Sequence, residues 1–233
     1  MSALSWKRTT GLAGIVHVVL FFALGLMILD GPSITDSAAD TREWFEDNTT
    51  EVALFTWAMP FVAGVLFLVF ASGLRSVLGP ADEKNRGVWA RVSFAGAVLQ
   101  AAVGFVGLSF WGVLAQEDVL AAVSDDTMQT LNAFDTVLFF AIMNWAVALF
   151  VLGASVVIIQ SGVMAKWIGW FGAVLALLSP IASLWLFSGD DGNFFGEVVG
   201  TVAFLGNLVW TLAVAITMVR SGAEDSEAAP VQV

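Results

Sequence analysis

The sequence predicts an all-α, polytopic transmembrane bundle of six helices with both termini in the cytoplasm. Three observations predict it: sparse charge, six long uncharged segments, and Lys and Arg gathered on one side of the implied bilayer. Of 233 residues, 58% are hydrophobic and 12% charged, and the mean hydropathy is +0.86. A soluble domain carries about 25% charged residues, so the apolar surface here must face lipid.

The uncharged stretches lie between Arg8 and Asp30, Glu51 and Arg75, Arg91 and Glu117, Asp135 and Lys166, Lys166 and Asp190, and Glu197 and Arg220. Each reaches the roughly 20 residues a helix needs to cross about 30 Å of hydrocarbon. They run continuously apolar, without the alternation of a membrane barrel strand. The expected spans are 10–29, 52–73, 93–115, 135–159, 167–187 and 198–219. Together they make one transmembrane domain over 1–222, and 223–233 is expected to be a disordered acidic cytoplasmic tail. The first window is too long for a signal-peptide core and reads as an uncleaved helix.

With six spans, Lys7, Arg8, Arg75, Lys84, Arg86, Arg91, Lys166 and Arg220 share one side, and only Arg42 falls on the other. That asymmetry places the termini in the cytoplasm and the chain in the plasma membrane. Acidic residues collect in the opposite loops, in 30–51, 117–126 and 190–197. Trp44, Trp57, Trp111 and Trp185 fall near the predicted outer boundaries, and Trp6, Trp89, Trp167 and Trp170 near the inner ones, as an aromatic belt would.

The first outer loop predicts a short helix over 37–47, capped by Asp36 or Ser37, with Ala38, Thr41 and Phe45 on one face. Trp44 and Phe45 are expected to rest on the membrane surface, the other reading being that they cover the bundle mouth. Asn48 and Glu51 have the spacing of a capping box. Short strings recur, such as Leu66–Ser72 with Leu149–Ser155 and Ala95–Leu99 with Phe171–Leu175, which permits a pseudo-repeat of three hairpins. Ser93, Ala97 and Ala101, and Gly196 with Gly200, have the small-residue spacing of close helix contacts. They would serve internal packing, self-association or another membrane protein. Pro60 and Pro180 stand inside the second and fifth spans and predict kinks.

Polar residues at depth are the functional handles. His17, Gln100, Asn144 and Asn207 form a candidate pocket if they face one another. The competing reading is a set of interhelical hydrogen bonds of about 0.6–2 kcal/mol each. Glu51, Asp135 and Glu197 open the second, fourth and sixth spans, either as a carboxylate ring at a cation path or as first-turn partners of the helix dipole. Asp135 is the least ordinary, because it falls inside its helix if that helix begins after Ser124.

No Cys and one His exclude disulfides, thiolate sites and multi-His metal sites. No nucleophile elbow, phosphate loop or metal-ligand spacing appears, so neither an enzyme nor a metal or cofactor site is expected. No basic run points to nucleic acid.

The segments Thr9–Gly25, Arg42–Asn48 and Gly64–Leu78, the last ending near a Leu74-Arg75 pair, carry a resemblance. They resemble a family of six-helix integral membrane proteins from high-GC actinobacteria whose function is unknown. The resemblance implies the fold and the membrane, and no activity or site residue. The sequence is thus expected to belong to a membrane protein that transports or binds a small solute or cation. The alternative is a non-catalytic accessory or scaffold subunit for another membrane protein.

Overall fold

The computed structural model describes residues 3–227, and they contain no strand. Besides short 3-10 turns, the helices in chain order are α1 (Trp6–Ile28), α2 (Ala38–Asp47), α3 (Thr49–Ala81), α4 (Val88–Leu114), α5 (Glu117–Ala122), α6 (Asp125–Ser161), α7 (Lys166–Phe187) and α8 (Phe195–Gly222). Six of them, all but α2 and α5, are long and apolar enough to cross a membrane. Helical backbone extends beyond these apolar spans, back to Ala3 before α1 and on to Glu227 after α8, so the first residues of the expected tail are helical. Residues 228–233 of that tail lie outside the described residues.

The six long helices form a ring in sequence order, α1–α3–α4–α6–α7–α8, and α8 closes back on α1. The start of α1 and the end of α8 therefore lie at one end, here the terminal end, and α2 and α5 lie at the other, the loop end. Two seams are tightest. A Cβ at Gly96 would stand 2.8 Å from the Cα of Phe150, and one at Gly153 would stand 2.5 Å from the amide nitrogen of Ser93. Only glycine lets α4 and α6 approach backbone to backbone there. Ser93 adds a hydrogen bond from Oγ to the Phe150 carbonyl at 2.8 Å, and Ser93, Ala97 and Ala101 are all buried in the bundle. On the other side, a Cβ at Gly11 of α1 would lie 2.8 Å from the Ala215 carbonyl of α8.

The ring has no open middle at mid-depth. Phe67, Phe70, Phe150 and Trp210 are fully buried there, with Phe150 edge-on to both Phe67 (5.3 Å) and Trp210 (5.5 Å). The Trp210 indole donates to the Ile168 carbonyl at 3.0 Å, which settles its one polar group. A second cluster at the loop end joins Phe45, Val52, Trp111, Leu114, Leu120 and Met128.

Helix α6 departs most from the sequence expectation. It begins at Asp125, ten residues before the expected start at 135, with the Ser124 hydroxyl accepting from the Thr127 amide. Its 37 residues span about 55 Å, far more than a bilayer core of about 30 Å. The surplus projects at the loop end and carries a cap. Helix α2 packs against this projection with Thr41 and Phe45 buried, so it covers the bundle mouth, a correction to the expectation that it lies on the membrane surface. Its Ser37 cap is as expected, accepting from the Asp40 amide at 3.1 Å. The capping box at Asn48 does not form; Asn48 turns back to donate to the Trp44 carbonyl.

The aromatic belt is partial. Trp6, Trp57, Trp167 and Trp170 are exposed to the bundle's surroundings, whereas Trp111 and Trp185 are buried and hydrogen-bonded inside it. Pro60 begins a π-helical turn (Pro60–Leu66) in α3, and α6 contains a second (Leu138–Ile142). Pro180 sits in the last α-turn of α7, which tightens to a 3-10 turn over Ser183–Phe187.

Candidate functional site

A π turn shifts the backbone ladder by one residue and leaves a carbonyl that needs another donor. In lipid that donor must come from a side chain. The π turn of α3 is served by His17 of α1, whose Nδ1 lies 2.9 Å from the Val62 carbonyl. A carbonyl only accepts, so Nδ1 carries the proton and the imidazole tautomer is fixed by this bond. Phe21 and Phe67 flank the ring at 5.6 and 5.1 Å. In the π turn of α6, the Phe140 carbonyl accepts from Asn144 Nδ2 (2.8 Å) and Trp185 Nε1 (3.2 Å), and the Ala141 carbonyl accepts from Ser183 Oγ (2.9 Å). His17 and Asn144 thus repair helix irregularities.

Gln100 and Asn207 are different. Each is half-buried, and Gln100 Oε1 and Asn207 Oδ1 are buried without a hydrogen bond. Gln100 lies one turn from Gly96 and Gly104, whose nearest neighbours are Phe150, Ala146 and Met143 of α6. Asn207 lies one turn from Phe204, which meets Phe21 of α1 at 5.9 Å. No hydrogen bond joins any two of His17, Gln100, Asn144 and Asn207, and the central rings occupy the middle of the bundle.

The carboxylates also separate. Glu51 lies in the first turn of α3 and Glu197 in the first turn of α8, where the helix dipole favours them. Asp135 sits ten residues inside α6, only 6% exposed. Its Oδ1 is buried with no partner, and neither oxygen makes a hydrogen bond or ion pair among the described residues. Its space is made by Gly107 of α4, where a Cβ would stand 3.3 Å from Oδ1. One turn toward the loop end, Trp111 Nε1 donates to Asn132 Oδ1 (3.2 Å), and Asn132 Nδ2 donates to the Pro32 carbonyl (3.3 Å). Asn132 and Thr136 are buried beside it in sequence, but their polar atoms are engaged elsewhere. Asp135 is therefore a buried acceptor with nothing to accept.

The cap above it is held by Arg42, the one basic residue of the acidic loops. Its Nε and Nη2 meet Asp125 Oδ1 at 2.9 and 2.7 Å, Nη1 donates to the Leu120 carbonyl at 2.7 Å, and Nη2 also donates to the Val123 carbonyl at 2.7 Å. One guanidinium thus ties α2 to the α5–α6 junction. Sequence reading treats Arg42 as the exception to the charge asymmetry, and that exception is the signal of its role. Asp82 is the other residue that sequence reading passed over. At the terminal end, 1% exposed, it accepts from Asn85 Nδ2 at 2.9 Å and from the Ala90 amide at 3.0 Å. It thereby caps α4 from the end of α3. Its position eight residues before Ala90, beyond cap spacing, hides this in the sequence.

Two surface cavities accompany these sites. One, of about 430 Å³, opens at the loop end between α3 and the α4–α5 junction, walled by Thr49, Thr50, Gln116, Glu117 and Asp118. The other, of about 370 Å³, opens at the terminal end beside Arg75.

No curated protein and no solved structure matches the chain. A family described as a domain of unknown function, DUF4386, matches residues 9–213, from the first spanning helix into the last. The chain, a ring of six long apolar helices matched along most of its length, belongs to the DUF4386 family.

Proposed function

We propose that this chain is an integral protein of the plasma membrane, with both termini in the cytoplasm, that binds a small cationic solute at Asp135 from the loop end. We assign it no reaction, and no passage of the solute through the ring. The single observation that carries the reading is the Asp135 carboxyl, buried beneath the α2 cap without donor or counter-ion. An ionised carboxylate left so would cost several kcal/mol; a cationic group that enters would relieve that cost. The acidic residues of the surrounding loops would concentrate cations at this end. The aromatic rings at mid-depth favour binding over transport, because they fill the space a path would need.

The test is thermal unfolding of the purified protein in neutral detergent with sodium, potassium and small alkylammonium salts, for the wild type and Asp135→Asn. One cation class should raise the wild-type midpoint in a concentration-dependent way, and the rise should vanish in the variant. Absence of any shift in either protein would reduce Asp135 to a neutral buried acid and end the reading.

The same closed middle favours a second reading, an accessory subunit for another membrane protein. Ser93, Ala97 and Ala101 are consumed inside the bundle, and Gly196 is packed against the Asp191 backbone, whereas Gly200 is half-buried at the entry of α8 with only the Phe195 carbonyl, at 3.7 Å, near the place of a Cβ. A stoichiometric membrane partner that co-purifies with the wild type, and is lost on Gly200→Leu, would support it over solute binding.

A further inference from the structure

Arg75 stands near the terminal end of α3 with its guanidinium over the Phe94 ring of α4, 5.1 Å from the centroid. That contact orients the plane of the group. Among the described residues Arg75 makes no hydrogen bond and no ion pair. The cavity of about 370 Å³ opens at this point, with Trp6 of α1, Phe94 of α4, and Ser72, Arg75, Ser76 and Gly79 of α3 around it. Ser76 spends its proton on the Ser72 carbonyl at 3.0 Å, whereas the Ser72 hydroxyl makes no hydrogen bond among the described residues. The floor is open: a Cβ at Gly79 would meet nothing within 4 Å. Trp6, 39% exposed, marks the depth at which aromatic side chains meet headgroups.

The setting supplies the sign of the ligand. Lys84, Arg86, Arg91, Lys166 and Arg220 belong to the same end, and none of them pairs with a carboxylate among the described residues. A planar guanidinium with unused donors matches a phosphate oxygen pair, and a basic cleft between helices at a membrane boundary suits an anionic headgroup. We infer that this groove is a headgroup site for an anionic phospholipid, whose phosphate is held by the Arg75 guanidinium and the Ser72 hydroxyl. The bundle's exposed apolar sides accommodate the acyl chains, which a soluble phosphate ester lacks.

The experiment is native mass spectrometry of the full chain from neutral detergent, titrated with phosphatidylglycerol, phosphatidylcholine or inorganic phosphate. Phosphatidylglycerol should remain bound and phosphatidylcholine should not. Arg75→Gln should weaken retention roughly tenfold, the loss of one charge-assisted pair of bonds, and Lys84→Gln, which removes equal charge outside the groove, should change it little. A Cβ at Gly79 meets no neighbour and leucine is a better helix former than glycine, so Gly79→Leu should abolish retention without lowering the lipid-free melting temperature. Equal losses from Arg75→Gln and Lys84→Gln would overturn the site in favour of diffuse surface charge. Displacement of the lipid by inorganic phosphate would overturn it in favour of a simple anion site. Retention in Gly79→Leu would overturn it outright.

Discussion

Asp82 and Asp135 are the two buried acidic side chains among the described residues, and they lie at opposite ends of the bundle. Asp82 accepts from a backbone amide and a side-chain amide, and the Asn85 amide that serves it reaches on to Gln160 Oε1 at 2.9 Å. Asp135 accepts from nothing. The basic end thus holds its acid in a complete network. The acidic end buries an acid with no partner and spends its single cation, Arg42, on Asp125 instead. Burial alone does not separate a structural carboxyl from a functional one; the hydrogen-bond inventory does.

That contrast can be broken by mutation, from the largest expected effect to the smallest. Asp82→Ala leaves the buried Ala90 amide without its side-chain acceptor and the Asn85 amide with Gln160 alone, and should cost about 2–3 kcal/mol. Thermal unfolding in detergent measures it, and proteolysis between α3 and α4 should rise in parallel. Arg42→Gln removes the fork to Asp125 while keeping length. The Arg42 side chain is partly exposed, so the expected cost is about 1–2 kcal/mol, with loss of protection of α2 in hydrogen exchange. A fall as large as that for Asp82→Ala would mean that the cap, not the α3–α4 turn, dominates the fold.

His17→Leu keeps the volume but strands the Val62 carbonyl, and should cost about 1 kcal/mol, the size of a hydrogen bond within a membrane bundle. Asp135→Asn should fall within about 0.5 kcal/mol of wild type without added cation, or raise stability, since no bond is lost. A loss of several kcal/mol there would erase the difference between the two aspartates and assign Asp135 a structural bond.

Much of the architecture is legible in the sequence because lipid is an unforgiving solvent. Uncharged length predicts six spans, and the chain has six helices long and apolar enough to cross a membrane. The start of α6 is missed because Asp125–Asp135 is polar, and polarity marks only the edge of the membrane, not the end of the helix. His17 and Asn144 look like a pocket because sequence shows a polar side chain without showing the π-turn carbonyl it answers. Trp111 and Trp185 look like belt residues because their depth along the helix is readable and their azimuth is not.

The sequence by itself determined the solvent, the number of spanning helices and the placement of charge, since each follows from transfer free energies that add along the chain. The tertiary structure alone decided which polar atoms find partners. Partners such as those of His17, Arg42 and Trp185 come from segments far apart in sequence, and whether a donor lies within about 3 Å of an acceptor depends on how the ring closes. Asp82, Arg42 and Asp135 read alike as charged residues of a loop or a helix end. Only their neighbours make the first a cap, the second a clasp and the third an open seat.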